Sequence, residues 1–186
     1  MKSNLDIIYS RRSTRVFKAD VQIKNDELNA ILKAGLLAPT GCNYQSCFFT
    51  VIQNKKTMER LNYLSKKHSK YIDNKLIKDM CSTEEYDVFY RAPTIIIISY
   101  DINASTPLED SAAAAQNILL AAECLGIGSC WIGIPMRFFS VISESEKKEF
   151  GIPDGFIPRN VISIGYKMSE TIYPRRKREN LYKIIK

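Results

Sequence analysis

The segment from Ala112 to Leu125 constrains this chain more than any other. It is apolar almost all round, is opened by Asp110-Ser111 and stops at Gly126. A helix with no polar face must lie in the interior or be clamped in an interface. Just upstream, Ile95 to Ile98 is a continuous β-branched run between Pro93 and Asp101. That pattern is a strand buried on both faces. Further strands are expected at Phe48 to Ile52, at Cys130 to Ile132, and at Asn160 to Ile164 before Gly165-Tyr166.

A second helix is expected after Asn25, an N-cap followed by Asp26 and Glu27 and by an apolar stripe at Leu28, Ile31, Leu32 and Leu36. Ala38-Pro39-Thr40-Gly41 ends it, since proline and glycine both oppose its continuation. Residues 54–92 are rich in Lys and Tyr, with short helical patterns and no strong periodicity, and Lys-rich 55–78 reads as a solvated helical face. Strands alternating with helices suggest, by default, a parallel doubly wound sheet. The phosphate loops of such folds are missing. Neither G-x-x-x-x-G-K-[ST] nor G-x-G-x-x-G occurs, and Gly126, Gly128 and Gly133 have the wrong spacing.

Arginines could do that work instead. Arg11-Arg12-Ser13-Thr14-Arg15 sets three guanidiniums and two hydroxyls within five residues. Guanidinium meets phosphate oxygens bidentately and stays charged at any working pH, while a neighbouring hydroxyl adds a neutral hydrogen bond. A second basic group, Arg175-Arg176-Lys177-Arg178, lies in a tail that also carries Leu181, Tyr182, Ile184 and Ile185. Such a tail has an apolar element to bury, unlike a disordered basic arm.

The 186 residues fit one domain, and no linker or repeat divides them. The formal charge of +7 sits in patches with no nucleic-acid module around any of them, so no nucleic-acid partner is expected. No apolar run reaches the roughly 20 residues that span a bilayer. The start, Met1 to Asp6, is too polar for a signal peptide, so a cytoplasmic location without membrane attachment is expected. Five cysteines without a Cys-x-x-Cys pair read as reduced thiols, and Cys42 as a bystander. His68 is the only histidine, which leaves little basis for a metal site or a histidine-based catalytic triad. Trp131 reads as a core or interface aromatic.

Read together, the motifs resemble the nitroreductase family of FMN-dependent oxidoreductases. The family's R-R-S-x-R with a following aromatic is matched from Arg11 to Phe17. Its A-P-S-x-x-N-x-Q-P-W is matched at Ala38, Pro39, Asn43 and Gln45, and its Gln-Asn helix leading into L-G-x-G-x-x-W-I-G from Gln116 to Gly133. Thr40 replaces the usual serine and keeps its hydroxyl. Ser46-Cys47 replaces the usual Pro-Trp, which removes a large ring and affects packing where the next strand begins.

The resemblance implies an α+β fold, a mixed and largely antiparallel sheet flanked by helices, in an intertwined homodimer. Residues 1–186 would form one FMN-binding domain, with 174–186 wrapping the partner subunit. Arg11, Ser13 and the tail arginines Arg176 and Arg178 would hold the phosphate, with Arg12 close by and Arg15 nearer the ribityl and pyrimidine side. Pro39, Thr40, Asn43 and Gln45 would line the ring from the partner, and main-chain groups of Trp131, Ile132 and Gly133 would face its other side. NADH or NADPH would be the co-substrate and a small molecule, nitroaromatic or quinone, the electron acceptor. The flavin would carry the chemistry, so no catalytic side chain and no metal is expected. The same scaffold also supports reductive dehalogenation, oxidative flavin chemistry and flavin-binding or redox-sensing proteins with little turnover.

Overall fold

The computed structural model describes residues 4–169 and 181–185. In chain order the elements are α1 (Asn4–Ser10), α2 (Asn25–Leu36), β1 (Cys47–Ile52), α3 (Lys55–Ser69), α4 (Lys75–Ser82), β2 (Thr94–Asp101), α5 (Pro107–Cys124), β3 (Ile127–Ile132), α6 (Pro135–Phe139), α7 (Glu144–Glu149) and β4 (Phe156–Tyr166). The sheet order is β1-β2-β4-β3, and every neighbouring pair is antiparallel. The only parallel pairing among the described residues is an isolated bridge between Ser13 and Ser129. The default parallel sheet is therefore wrong and the α+β arrangement right. Apolar runs report burial on both faces, and helices can cover an antiparallel sheet as completely as a parallel one.

Ile95 to Ile98 is the centre of the molecule, each residue fully buried. Because side chains alternate along a strand, Ile95 and Ile97 join Leu61 and Leu64 of α3 and Phe138 of α6 on one face. Ile96 and Ile98 join Ile31 of α2 and Ile118 and Leu119 of α5 on the other. The result is a sheet between two helical layers. Burying each such side chain contributes roughly 1.5–3 kcal/mol, so this strand and its two neighbouring layers hold the fold together.

α5 begins five residues earlier than Ala112, at Pro107, which suits a first helical position because its missing N–H would have no partner there. Its Asn117 side chain donates to the Ala34 carbonyl of α2 at 3.0 Å. α5 buries Ala114, Ala115, Ile118, Leu119 and Ala122, while Gln116 is exposed. α2 is capped one residue before Asn25, where the Lys24 N–H donates to Glu27 Oε2 at 3.0 Å. Its stripe buries Ile31 but leaves Leu36 61% exposed, because the helix ends there.

Residues 54–92 are more ordered than their composition suggests. Asn54 and Asn74 cap α3 and α4 by accepting from the Thr57 and Ile77 N–H groups at 3.1 Å each. Leu61, Leu64, Ser65 and Ser69 form the buried face of α3. Lys55, Lys56 and Lys67 are exposed as the sequence suggests, but Lys66 turns inward and its Nζ donates to the Thr83, Glu84 and Tyr86 carbonyls at 2.7–3.1 Å.

Candidate functional site

The arginine cluster follows α1 and runs along the edge of β3. The Thr14 N–H donates to the Ser129 carbonyl at 2.9 Å, and Lys18 and Phe17 bond the end of β4 and the residue after it. Thr14 lies so close to Gly128 that a Cβ there would stand 2.8 Å from its methyl carbon, which accounts for the glycine. The three guanidiniums have different surroundings. Arg12 Nη1 donates to the carbonyls of Tyr9, Ser10 and Arg11 at 2.9–3.2 Å and so caps the end of α1. Arg15 is exposed and lies over the Tyr90 ring, 5.9 Å from its centroid. The half-buried Arg11 guanidinium has no hydrogen-bond or ion-pair partner among the described residues.

Beside this segment a cavity of about 610 Å³ opens between Arg15 and the end of β3. Trp131, Ile132 and Gly133 line it together with Tyr86, Tyr90 and Met136, and Arg137 and Ser140 add polar groups to a mostly apolar wall. Trp131, 37% exposed, is a cavity wall rather than a core aromatic. Burial raises the Cys130 thiol above its usual range, and the positive field of Arg15, the Ser13 hydrogen bond and the field of Arg11 oppose that shift. The cavity is largely apolar, with the guanidiniums of Arg15 and Arg137 in its lining.

The second group of expected residues lies elsewhere. Thr40 Oγ1 accepts from the Gln45 N–H at 3.0 Å, and Cys42, Asn43 and Gln45 all adopt left-handed backbone (φ +51°, +55° and +54°). The loop is fastened to the start of α5 by Asp110, 3% exposed, whose carboxylate accepts from the Gly41 N–H at 3.0 Å, the Ser46 hydroxyl at 2.6 Å and the Thr106 hydroxyl at 2.9 Å. A Cβ at Gly41 would collide with the Thr106 hydroxyl. Burial pushes the Asp110 carboxyl up, but the bonds from Ser46, Gly41 and Thr106 outweigh it and leave it below the usual range. The Pro39, Asn43 and Gln45 side chains are exposed.

The two groups stand at opposite ends of α5. Asp110 holds the loop at its start. At its finish Glu123 accepts from Ser10 of α1 at 3.3 Å and from Lys167 at 3.0 Å. At 1.5 Å rise per residue these anchors are about 20 Å apart. One chain thus brings together Arg11, Arg12, Ser13, Arg15, Trp131, Ile132 and Gly133, and separately Pro39, Thr40, Asn43 and Gln45, but does not join the two sets. Arg176 and Arg178 lie outside the described residues, while Leu181, Tyr182, Ile184 and Ile185 are 70–87% exposed. The sequence reading missed Tyr86, Tyr90 and Asp110. The tyrosines sit in irregular chain, where periodicity gives no direction.

The model of the family described as "Nitroreductase family" matches residues 8–166. The chain belongs to the nitroreductase family. A relative from Archaeoglobus fulgidus, provisionally named NADH dehydrogenase/NAD(P)H nitroreductase, is 31% identical over 91% of this chain and 88% of its own. Among solved structures, a nitroreductase from Bacteroides fragilis with bound FMN matches with a TM-score of 0.86 and 30% identity over all of both chains. A nitroreductase from Desulfitobacterium hafniense, also with bound FMN, matches with a TM-score of 0.87 and 25% identity, again over all of both.

Proposed function

We propose that this protein is an FMN-dependent oxidoreductase that passes hydride from NADH or NADPH to a nitroaromatic, quinone or related small acceptor, acting as a homodimer. One observation carries the reading, namely the division of complementary site residues between the two ends of α5. At one end are a half-buried guanidinium with no hydrogen-bond or ion-pair partner among the described residues, a serine and a largely apolar cavity whose lining includes Arg15 and Arg137. At the other, a fastened loop presents exposed amides. The FMN held by the two solved relatives supports the identity of the ligand.

The residues fit that ligand. Arg11 and Ser13 suit a phosphate, the Asn43 and Gln45 amides suit the edge of a heterocycle, and about 610 Å³ lies within the range of small-ligand cavities. Bound FMN would supply the hydride chemistry, accepting from the nicotinamide and passing on to the acceptor. The protein binds and orients. Arg15, exposed at the cavity wall, favours a ligand that gains negative charge on reduction. Trp131 and the aliphatic side chains give the ring an apolar lining to lie against. No side chain need exchange a proton for the hydride to move.

We infer one domain over residues 1–186, with 174–186 wrapping the partner and supplying Arg176 and Arg178. A homodimer would join the loop of one subunit to the arginine cluster of the other. Among the described residues no helix is long and apolar enough to cross a membrane, and the five free thiols suit a reducing cytoplasm.

Purified protein should be yellow and release FMN on acid or heat treatment. Steady-state oxidation of NADH or NADPH with a quinone or a nitroarene should give parallel double-reciprocal lines, because one cavity admits one planar partner at a time. Colourless protein that FMN cannot reconstitute refutes the reading, and intersecting lines refute the single-cavity exchange.

A further inference from the structure

We propose that Asp110 is a positioning residue, whose buried carboxylate holds the loop from Thr40 to Ser46 in the shape that presents Thr40, Asn43 and Gln45 to the flavin. The proposal rests on the flavin reading above and adds to it the group that sets the loop. Three non-glycine residues in left-handed backbone are disfavoured by their own side chains, so something outside the loop must over-determine them. Asp110 does so from both sides. Its Oδ1 takes the N–H of Gly41 just before the left-handed residues, and its Oδ2 takes the hydroxyl of Ser46 just after them.

The chemistry explains why the residue is a carboxylate. The Gly41 N–H is a fixed donor and the Thr106 and Ser46 hydroxyls are turned to donate. Ionised aspartate is acceptor-only, whereas an asparagine would turn an NH₂ group toward one of these donors. The start of α5 adds the positive end of a helix dipole. Asp110 also lines a small cavity of about 170 Å³ together with Thr40 and Gln45, so the clamp and the presented side chains share one space. Ser46 stands where the family pattern has proline, which carries no donor, so this second fastening is a property of this chain.

The test compares Asp110→Asn and Ser46→Ala with Asn160→Ala. Asn160 is buried, and its side chain donates to the hydroxyl of Ser111, the neighbour of Asp110, at 3.1 Å rather than to a group of the loop. FMN affinity, the visible circular dichroism of bound FMN and the melting temperature of the flavin-free protein are measured for each. Asp110→Asn should raise the FMN dissociation constant about tenfold or more and change the dichroism, the scale of a charge-assisted bond. Ser46→Ala should raise it about threefold, the scale of a neutral one. Asn160→Ala should lower the melting temperature while affinity stays within about twofold. Wild-type affinity in Asp110→Asn, or losses that follow melting temperature alike in all three variants, overturns the proposal. If Asp110→Asn does not fold, Ser46→Ala decides, and wild-type affinity there overturns it too. Wild-type protein that takes no FMN refutes the flavin reading itself, and this proposal with it.

Discussion

The two ends of α5 carry the two halves of the candidate site, and they are built in opposite ways. At the start, a buried carboxylate with three donors fixes a loop whose backbone is already unusual, and the loop's amides are left facing out. At the finish, backbone bonds to β3 and β4 hold the arginine segment, and the Arg11 guanidinium has no hydrogen-bond or ion-pair partner among the described residues. One half invests its polar groups in shape, the other keeps charge for a ligand. With about 20 Å of helix between them, the two halves do not meet among the described residues of one chain, and the proposed dimer would bring each to its complement.

The largest effect should come from removing the tail. Truncation after Tyr173 takes away Arg176, Arg178 and the four apolar residues that are exposed in a single chain. Both flavin and dimer should be lost together, since obligate interfaces of roughly 2,000–5,000 Å² do not survive loss of a wrapping segment. A flavin-loaded species at the monomer mass of 21.3 kDa, seen by light scattering, would show that both halves of the site lie within one chain.

The next effect isolates Arg11. Arg11→Ala should weaken FMN binding by about 1.5–3 kcal/mol, the range of a hydrogen bond to a charged group. Arg176→Ala should cost less where Arg175 or Arg178 can replace it. Mixing Arg11→Ala with a doubly substituted Asn43→Ala, Gln45→Ala chain then tests whether the halves come from different subunits. In a two-fold dimer each mixed pair contains one intact site, so exchange should restore about a quarter of the wild-type sites. No recovery in dimers shown to have exchanged would mean that both halves act from one subunit.

These experiments address what the sequence left open, and the reasons are local. Ile95 to Ile98 was legible because an unbroken β-branched run has one use in a core. The arginine cluster and the Trp131 to Gly133 segment were legible as motifs, but whether they meet Asn43 depends on α5, whose length no motif encodes. Asp110 reads as a helix opener, but the helix begins at Pro107 and Asp110 lies within its first turn. Its bond to Gly41 spans 69 residues of sequence, so nothing nearby announces it. Tyr86 and Tyr90 reach the cavity from irregular chain, where left-handed Tyr90 sets a direction no periodic pattern predicts.

A smaller effect is the acid limb of stability. The Asp110 carboxyl is lower in the folded protein than its ordinary 3.8, so its contribution is complete above about pH 4 and disappears as pH falls through the folded value. Glu146, lowered by the Ser143 N–H, acts in the same direction. His68 is lowered by burial and by Lys67, so folding also loses stability below about pH 6.5. Melting temperatures of flavin-free wild type and Asp110→Asn from pH 7 to 3 separate these contributions. The two curves should converge below pH 4, and a constant gap across the range would mean that the Asp110 charge plays no part in holding the loop.

The smallest effect is expected at the other carboxylate of the same helix. Glu123 also bridges α5 to neighbouring segments, through Lys167 and Ser10, with side-chain exposures of 11% for Glu123 and 17% for Lys167. Glu123→Gln removes a partly buried ion pair, worth somewhat more than the up to about 1 kcal/mol of a fully exposed one. It also removes a negative charge from the C-terminal turn of a helix, where the dipole disfavours it by about 0.3–1 kcal/mol. The two contributions oppose each other, and the glutamine carbonyl can still accept from Lys167 and Ser10. Thermal stability should change by a few degrees at most and FMN affinity by less than about twofold, because backbone bonds to Ser129 and Tyr166, not Glu123, hold the arginine segment. If Glu123→Gln instead weakens FMN as much as Asp110→Asn, the finish of α5 sets its half of the site through buried charge as the start does, and the contrast between the two ends is wrong.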